Sequence, residues 1–216
     1  MNKAPERYPI DGYVVVDALM SDDEIARIDE ELTSSPSEVA GDRRFLDREW
    51  CRLVAQVLRH RLLKRRLLYL ASQPVLCTYF GKDPTTNWGV GLHRDLHVPL
   101  HARIEEKPWQ NWSEKQNIPH AQASSELLAT MMAVRINLDD SSNEDGALCV
   151  VPGSHLTADV ESTRIECIGA KGSATIMSPM LLHSSSKVTS GRERRVLHFL
   201  FGPRSLPGGA KWYYSS

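Results

Sequence analysis

Three side chains in this sequence could share one metal ion: His93, Asp95 and His183. His93 and Asp95 stand two apart in a run that reads as extended, and alternate side chains of a strand leave the same face, so an imidazole and a carboxylate are presented together. The third donor has to come from elsewhere in the chain. His183 is the best-placed candidate, in the strand-like segment Leu181 to Lys187 after the Ser178-Pro179 turn. Two histidines and one carboxylate on one side of a metal leave three positions open, which suits an iron(II) that must bind a bidentate cosubstrate and dioxygen. Each piece alone says little, because an H-x-D recurs by chance and a lone histidine is more often structural than a ligand.

Other residues could complete such a site, and each has a plainer reading beside it. Arg194 opens a strand, Arg194 to Phe201, where its planar fork could hold a dicarboxylate by two bonds. Alternatively it is one more surface charge in Arg192-Glu193-Arg194-Arg195. Arg135 interrupts the apolar alternation of Met131 to Leu138 and, if it faces inward, needs a carboxylate from a protein acid or a substrate. His97 shares the face of Asp95, and His198 that of Arg194. Either histidine lines a pocket or is an ordinary core or surface residue.

The elements that must position these residues follow from patterning. Tyr13 to Val16 is a short β-branched run, and Ser21 with Glu24 forms a capping box before Ile25, Ile28 and Leu32 recur at helical spacing. A second helical stretch runs from about Phe45 to Leu70, with Arg59, Arg61, Lys64, Arg65 and Arg66 read as its solvated face. From Pro74 onward, short apolar or alternating runs punctuated by Gly, Pro, Asn and Asp predict strands near 75–80, 89–93, 95–100, 130–138, 147–151, 164–168, 173–178, 181–187 and 194–201. Many short strands behind two helices predict a mainly β fold with flanking α-helices, a two-sheet jelly roll with the helices on one outer face. Residues 101–125, with Trp109 and Trp112, read as a long polar insertion of the kind that forms a lid.

The totals bound this reading. A chain of 216 residues fits a single domain, 1–216, with a helical part over about 1–72 and a jelly-roll core over about 74–202. With 41% hydrophobic and 25% charged residues and a net charge of −1, the chain offers no excess positive field for nucleic acid. Met1 to Pro9 lacks the apolar run of a signal sequence and nowhere do roughly 18 apolar residues follow one another, so no membrane partner and a cytoplasmic location are expected. Cys51, Cys77, Cys149 and Cys167 are widely spaced and read as reduced, mostly buried thiols.

These residues also stand in a wider pattern. Asp11-Gly12-Tyr13 is followed by Asn87-Trp88, His93-Arg94-Asp95, Leu138-Asp139-Asp140, Gly146-Ala147-Leu148, Val151-Pro152-Gly153-Ser154-His155, Leu182-His183-Ser184-Ser185 and Arg194. In that order they resemble the phytanoyl-CoA dioxygenase-like branch of the iron(II)/2-oxoglutarate oxygenases over nearly the whole chain. The resemblance implies a double-stranded β-helix (jelly roll, cupin-like), His93, Asp95 and His183 as iron ligands, and Arg194 as partner of the distal carboxylate of 2-oxoglutarate. Ser185 matches a position that can hydrogen-bond the same carboxylate, and His155 falls in a segment the family uses as structure. Two departures are Ser184, where the family often has Gly, and Ser173, near which it has an acidic residue. Family members that halogenate carry a small residue in place of Asp95, so hydroxylation or another oxidation is implied instead.

The implied cofactors are iron(II), 2-oxoglutarate as cosubstrate and dioxygen, and the implied reaction oxidises a C–H bond of a small molecule, such as an amino acid or a natural-product intermediate. Trp88, His97, Arg135 and the 101–125 insertion are the residues expected to aim that substrate. The alternatives are a jelly-roll module that binds a metal or ligand without catalysis, and an oxygenase acting on a protein. Nothing in the sequence resembles a dedicated coenzyme A site.

Overall fold

The computed structural model describes residues 8, 10–37, 39–68, 72–105, 107–157 and 163–214. The first helix, α1 (Asp22–Ser34), begins as its sequence dictates: the Ser21 hydroxyl accepts the Glu24 N–H at 3.3 Å while the Glu24 carboxylate accepts the Ser21 N–H at 2.9 Å. Ile25, Ile28 and Leu32 form its buried stripe. A 3-10 turn, Phe45–Asp47, leads into α2 (Glu49–Lys64), which ends short of the reading to Leu70; residues 69 and 70 lie outside the described ones. The basic residues of α2 are not simply a solvated face. Arg61 makes a two-pronged pair with Glu24, both bonds 2.8 Å, and Arg59 donates to the Ser72 carbonyl at 2.6 Å. The long arginine stems reach past the helix to acceptors that only the folded chain brings near.

The described residues form thirteen strands: β1 (Tyr13–Val16), β2 (Gly41–Asp42), β3 (Ser72–Lys82), β4 (Val90–His93), β5 (His97–Pro99), β6 (Gln110–Lys115), β7 (Ile118–Gln122), β8 (Met132–Asn137), β9 (Leu148–Val150), β10 (Ile165–Cys167), β11 (Ala174–Met177), β12 (His183–Ser185) and β13 (Arg194–Pro203). They form a six-stranded sheet in the order β1-β11-β8-β13-β3-β2, a four-stranded sheet β10-β9-β12-β4 and a three-stranded sheet β5-β7-β6. The first two are the facing sheets of the expected jelly roll. β1 comes from the part read as mainly helical, yet it pairs antiparallel with β11 in the large sheet.

Period-2 alternation divides the large sheet into two faces. Val134 and Ile136 of β8 and Leu197, Phe199 and Phe201 of β13 join α1 and α2 in one buried cluster, with Ile25, Ile28, Leu58 and Leu62 opposite them. At roughly 1.5–3 kcal/mol for each fully buried aliphatic or aromatic side chain, this burial is what fixes the helices on the outer face. The intervening residues, Ala133 and Leu200, point into a second core between the sheets. Arg135, Arg194 and His198 share that inner face and line a cavity there.

The segment 101–125 differs from the expected insertion. It is largely a β-hairpin, β6 and β7, paired to β5 in the third sheet. Trp109 is 5% exposed and belongs to the inner core rather than tipping a lid. Gln116 and Asn117 turn the hairpin with φ of 55° and 61°, the left-handed pair that a tight hairpin needs. β6 hid from the sequence because it is an edge strand with little burial on either face, so no alternation marks it. Among the described residues no helix is long and apolar enough to cross a membrane.

Candidate metal centre

β4 and β12 are antiparallel neighbours, and their register sets His93 directly opposite His183. Asp95 follows β4 in the connection at 94–96 rather than on a strand, in a tight turn closed by the Leu96 N–H donating to the Arg94 carbonyl at 3.1 Å, and this connection is pinned from both sides. The Asp95 N–H donates to the Pro179 carbonyl at 2.8 Å, and Arg94, pointing the other way, donates to the carbonyls of Met180, Ser154 and Thr157. Ser154 in turn accepts the Leu182 N–H at 2.8 Å, so the Val151–His155 turn locks the approach to His183. His155 itself lies away from the cluster, packed so closely over Gly12 (φ +77°) that a Cβ there would collide with its ring.

The outcome is one cluster: ligand-type atoms of His93, Asp95 and His183 all lie within 4.8 Å of one another. Nδ1 of His93 lies 2.8 Å from the Gly91 carbonyl, and Nδ1 of His183 lies 2.9 Å from that of Leu181. A carbonyl only accepts, so each Nδ1 carries the hydrogen, and in the neutral ring each Nε2 turns its lone pair inward. Those lone pairs meet Asp95 oxygens at 3.6 Å on both sides. Acceptors converging in this way call for a cation between them, which is a direct test that the residues fit a metal.

The electrostatics agree. Burial pushes the His183 imidazole down to about 4, keeping it neutral. Burial opposes the Asp95 charge, yet hydrogen bonds from His198 and His93 hold its carboxyl well below the usual carboxylate range. The Asp95 carboxylate, accepting from the protonated ring, raises His93, and a bound metal would displace that proton and take the Nε2 lone pair in its place.

His198, on the inner face of β13, places Nε2 3.5 Å from Asp95 and serves as a neighbour to the cluster rather than a member of it.

Arg194 is 1% exposed and not a surface charge. Its Nε donates to the Asp145 carbonyl at 3.1 Å and one Nη to the Gly146 carbonyl, while the other, Nη1, is buried without a partner among the described residues and the side chain lines the cavity. Gly146 makes this possible: its φ is +65° and a Cβ would stand 2.5 Å from the Ser186 carbonyl oxygen. Ser185 also lines the cavity, and its hydroxyl accepts from Lys82 Nζ at 3.1 Å.

Lys82 escaped the sequence reading. It faces Arg194 across the β3–β13 ladder, is 1% exposed, and has its amine lowered to about 7 by burial and by the charges of Arg194 and Arg135. The available signal was alternation, since Leu76, Thr78, Phe80 and Lys82 all line the cavity at period 2. Arg43, Lys115 and His120 were likewise missed: Arg43 follows the two-residue strand β2, Lys115 ends the unmarked edge strand β6, and His120 sits on β7 inside the segment read as an insertion.

The remaining expected residues are gathered here as well. Trp88 and His97 line the same cavity, Trp88 with Lys82 Nζ 5.2 Å from its ring centre and His97 bonded through Nε2 to the Asn111 carbonyl at 3.0 Å. Arg135 faces inward, 5.9 Å from the centre of the Phe80 ring, and among the described residues no protein acid forms an ion pair with it.

The phytanoyl-CoA dioxygenase (PhyH) family model matches residues 8–196. No curated protein sequence matches the chain. Among solved structures it is similar to the non-haem α-ketoglutarate-dependent epimerase SnoN from nogalamycin biosynthesis, at 19% identity, covering 99% of this chain and 92% of that one with a TM-score of 0.72. The carbocyclase SnoK from the same biosynthesis matches at 17% identity, 98% and 86% coverage and a TM-score of 0.69. HygX from Streptomyces hygroscopicus, solved with nickel and 2-oxoglutarate, matches at 15% identity, 94% and 86% coverage and a TM-score of 0.64. At these identities the structures establish the shared fold, and the family match supplies the rest. Because that match runs unbroken through β4, β12 and the start of β13, the chain belongs to the phytanoyl-CoA dioxygenase family of iron(II)- and 2-oxoglutarate-dependent oxygenases.

Proposed function

We propose that this oxygenase hydroxylates a C–H bond of a small metabolite, with iron(II) held by Nε2 of His93, Nε2 of His183 and the Asp95 carboxylate. In the same reading Arg194, Lys82 and Ser185 hold the distal carboxylate of 2-oxoglutarate. Bound together, iron(II), 2-oxoglutarate and dioxygen would supply the oxidant for the C–H bond, with 2-oxoglutarate converted to succinate and carbon dioxide in generating it. The chain's own residues bind and aim. The unpartnered Nη1 of Arg194, buried and set in the cavity wall beside the Lys82 amine, is the observation that carries this reading, since a dicarboxylate is what satisfies both. Trp88, His97 and Arg135 wall the remaining space, where they position the substrate and keep water away.

SnoN and SnoK are an epimerase and a carbocyclase, and SnoN has been solved with iron, α-ketoglutarate and a nogalamycin compound. A natural-product-like substrate therefore suits this chain, and stereoinversion or ring closure are the other outcomes that begin with hydrogen removal. The test is metal analysis and substrate-stimulated succinate release, with product identification separating the three outcomes. One iron(II) per chain is expected, and His93→Ala, Asp95→Ala or His183→Ala should each abolish coupled turnover. Wild-type iron affinity and activity in any one of them would remove that residue from the set.

A further inference from the structure

The cavity walls carry far more positive than negative charge. Among the described residues lining it, Arg43, Lys82, Lys115, Arg135 and Arg194 are cationic and Asp95 is the only carboxylate. This excess is local, since the chain's net charge is −1. The proposed function absorbs part of it: Asp95 and one carboxylate of 2-oxoglutarate balance iron(II), while the distal carboxylate faces Arg194 and Lys82. Arg43, Lys115 and Arg135 are left with no carboxylate of their own: Asp95 attracts all three from across the cavity, but its charge is already set against iron(II).

Arg43 and Lys115 are far apart in sequence and are brought to the same rim by a specific dock. The Gln116 side chain, at the turn of the β6–β7 hairpin, accepts the Arg43 N–H at 2.7 Å and donates to the Gly41 carbonyl at 3.0 Å. Lys115 is thereby delivered next to Arg43. Some arginines of the chain are paired with acids, as in Arg61–Glu24 at 2.8 Å and Arg195–Asp139 at 2.6 Å, and others such as Arg94 are spent on backbone carbonyls. At the rim, among the described residues neither cation has an acidic partner within ion-pair distance, and Arg43 has only a 3.5 Å contact to the Gly41 carbonyl. Both are pushed down by burial, and Lys115 further by the Arg43 charge, with the more distant Asp95 carboxylate offsetting part of the shift in each. Two like charges held together in a partly dry wall are unfavourable until an anion joins them.

We propose that the substrate carries an oxyanion group, a carboxylate, phosphate or sulfate, which Arg43 and Lys115 grip across the mouth of the cavity. The guanidinium fork meets two oxygens at once and the ammonium supplies a point charge. Arg135, deeper in the wall, favours the same sign of substrate. This assignment rests on the reading that 2-oxoglutarate occupies the Arg194 side, which leaves the rim pair for the substrate.

The test uses the full chain loaded with nickel(II), a redox-inert stand-in for iron(II), and saturating 2-oxoglutarate. Acetate, inorganic phosphate and inorganic sulfate are compared at constant ionic strength against chloride, with thermal stability as the readout. At least one of the three should raise the melting temperature of the wild type, and the shift should vanish in the Arg43→Gln/Lys115→Gln double variant. Lys115→Glu, whose carboxylate would occupy Arg43 itself, should abolish it too. Which anion acts separates carboxylate from phosphate or sulfate substrates. If none of them stabilises the wild type more than the variants, the proposal is overturned. The affinity for 2-oxoglutarate, measured in the same proteins, should stay within about threefold of wild type in the double variant; its loss there would assign the rim pair to the cosubstrate and sink the proposal. Failure of the wild type to bind 2-oxoglutarate would bring down the Arg194 reading alone, since the anion shift still reports on the rim.

Discussion

At Arg194 two readings of one side chain make opposite predictions, and burial favours the anchoring one. Removing a charge-assisted, two-pronged interaction from a buried site costs roughly 2–5 kcal/mol. Arg194→Ala should therefore weaken 2-oxoglutarate binding by about thirtyfold or more, at about tenfold per 1.4 kcal/mol, while iron binding is nearly unchanged. Arg195, on the opposite face, bonds Asp139 through two nitrogens at 3.0 and 2.6 Å and reaches Asp29 of α1 at 3.0 Å. Arg195→Ala should leave 2-oxoglutarate affinity near wild type but lower stability by about 1–3 kcal/mol, because half-buried acids lose their partner; equally weakened binding in both variants would contradict the assigned faces. Lys82 adds a pH dependence with a definite sign. Its amine sits at about 7 in the free protein, only the protonated form attracts a carboxylate, and binding must raise its pKa. Binding of 2-oxoglutarate should then take up a proton and weaken by up to about tenfold per pH unit as pH rises above 7. Calorimetry in buffers of different ionisation enthalpy reads the uptake, and Lys82→Met should flatten the profile. A profile equally steep in that variant would rule Lys82 out.

At the scale of elements, the β6–β7 hairpin decides how the mouth of the cavity works. A loop that orders on binding would gain protection when the site fills, but this segment is hydrogen-bonded to β5, seats Trp109 in the inner core and is docked through Gln116. It is a wall. Hydrogen exchange across Gln110–Gln122 is expected to be slow both with and without nickel and 2-oxoglutarate, and Trp109→Ala should cost about 3–5 kcal/mol of stability, as large aromatic truncations in cores do. Fast exchange in the free protein that slows on loading would restore the lid. The same scale explains His93 and His183: each sits at the end of a short strand, and the β4–β12 register, not either sequence alone, sets them face to face.

For the whole molecule, the cluster links metal binding to folding. Two inward lone pairs and a carboxylate held without a cation are mutually unfavourable, and a metal that binds only the native state stabilises it in proportion to the logarithm of its concentration. Nickel(II) at about a hundred times its dissociation constant should add about 2.7 kcal/mol, which a melting experiment reads and a chelator reverses. Asp95→Ala should show no such gain. A melting temperature that ignores the metal in the wild type would mean that the three side chains do not act as one site.

Much of the site was legible in the chain itself. Alternation put Arg194 and Arg195 on opposite faces and marked Arg135 as a charge in conflict with its apolar strand, because strand geometry makes side-chain direction a local property; His93 and Asp95 were read on one face by the same rule, although Asp95 reaches the cluster from a turn. The β-rich architecture and the capped first helix were legible for the same reason: periodicity and capping act within a few residues. What only the tertiary structure decided is what depends on partners distant in sequence. No local pattern marks the polar edge strand β6 as a strand, since neither of its faces is buried by its own neighbours. None shows that Arg61 reaches Glu24, that Lys82 stands across from Arg194, or that Gln116 carries Lys115 to Arg43. Charge pairing has no sequence period, and a cavity's sign is a sum over strands that meet only after folding.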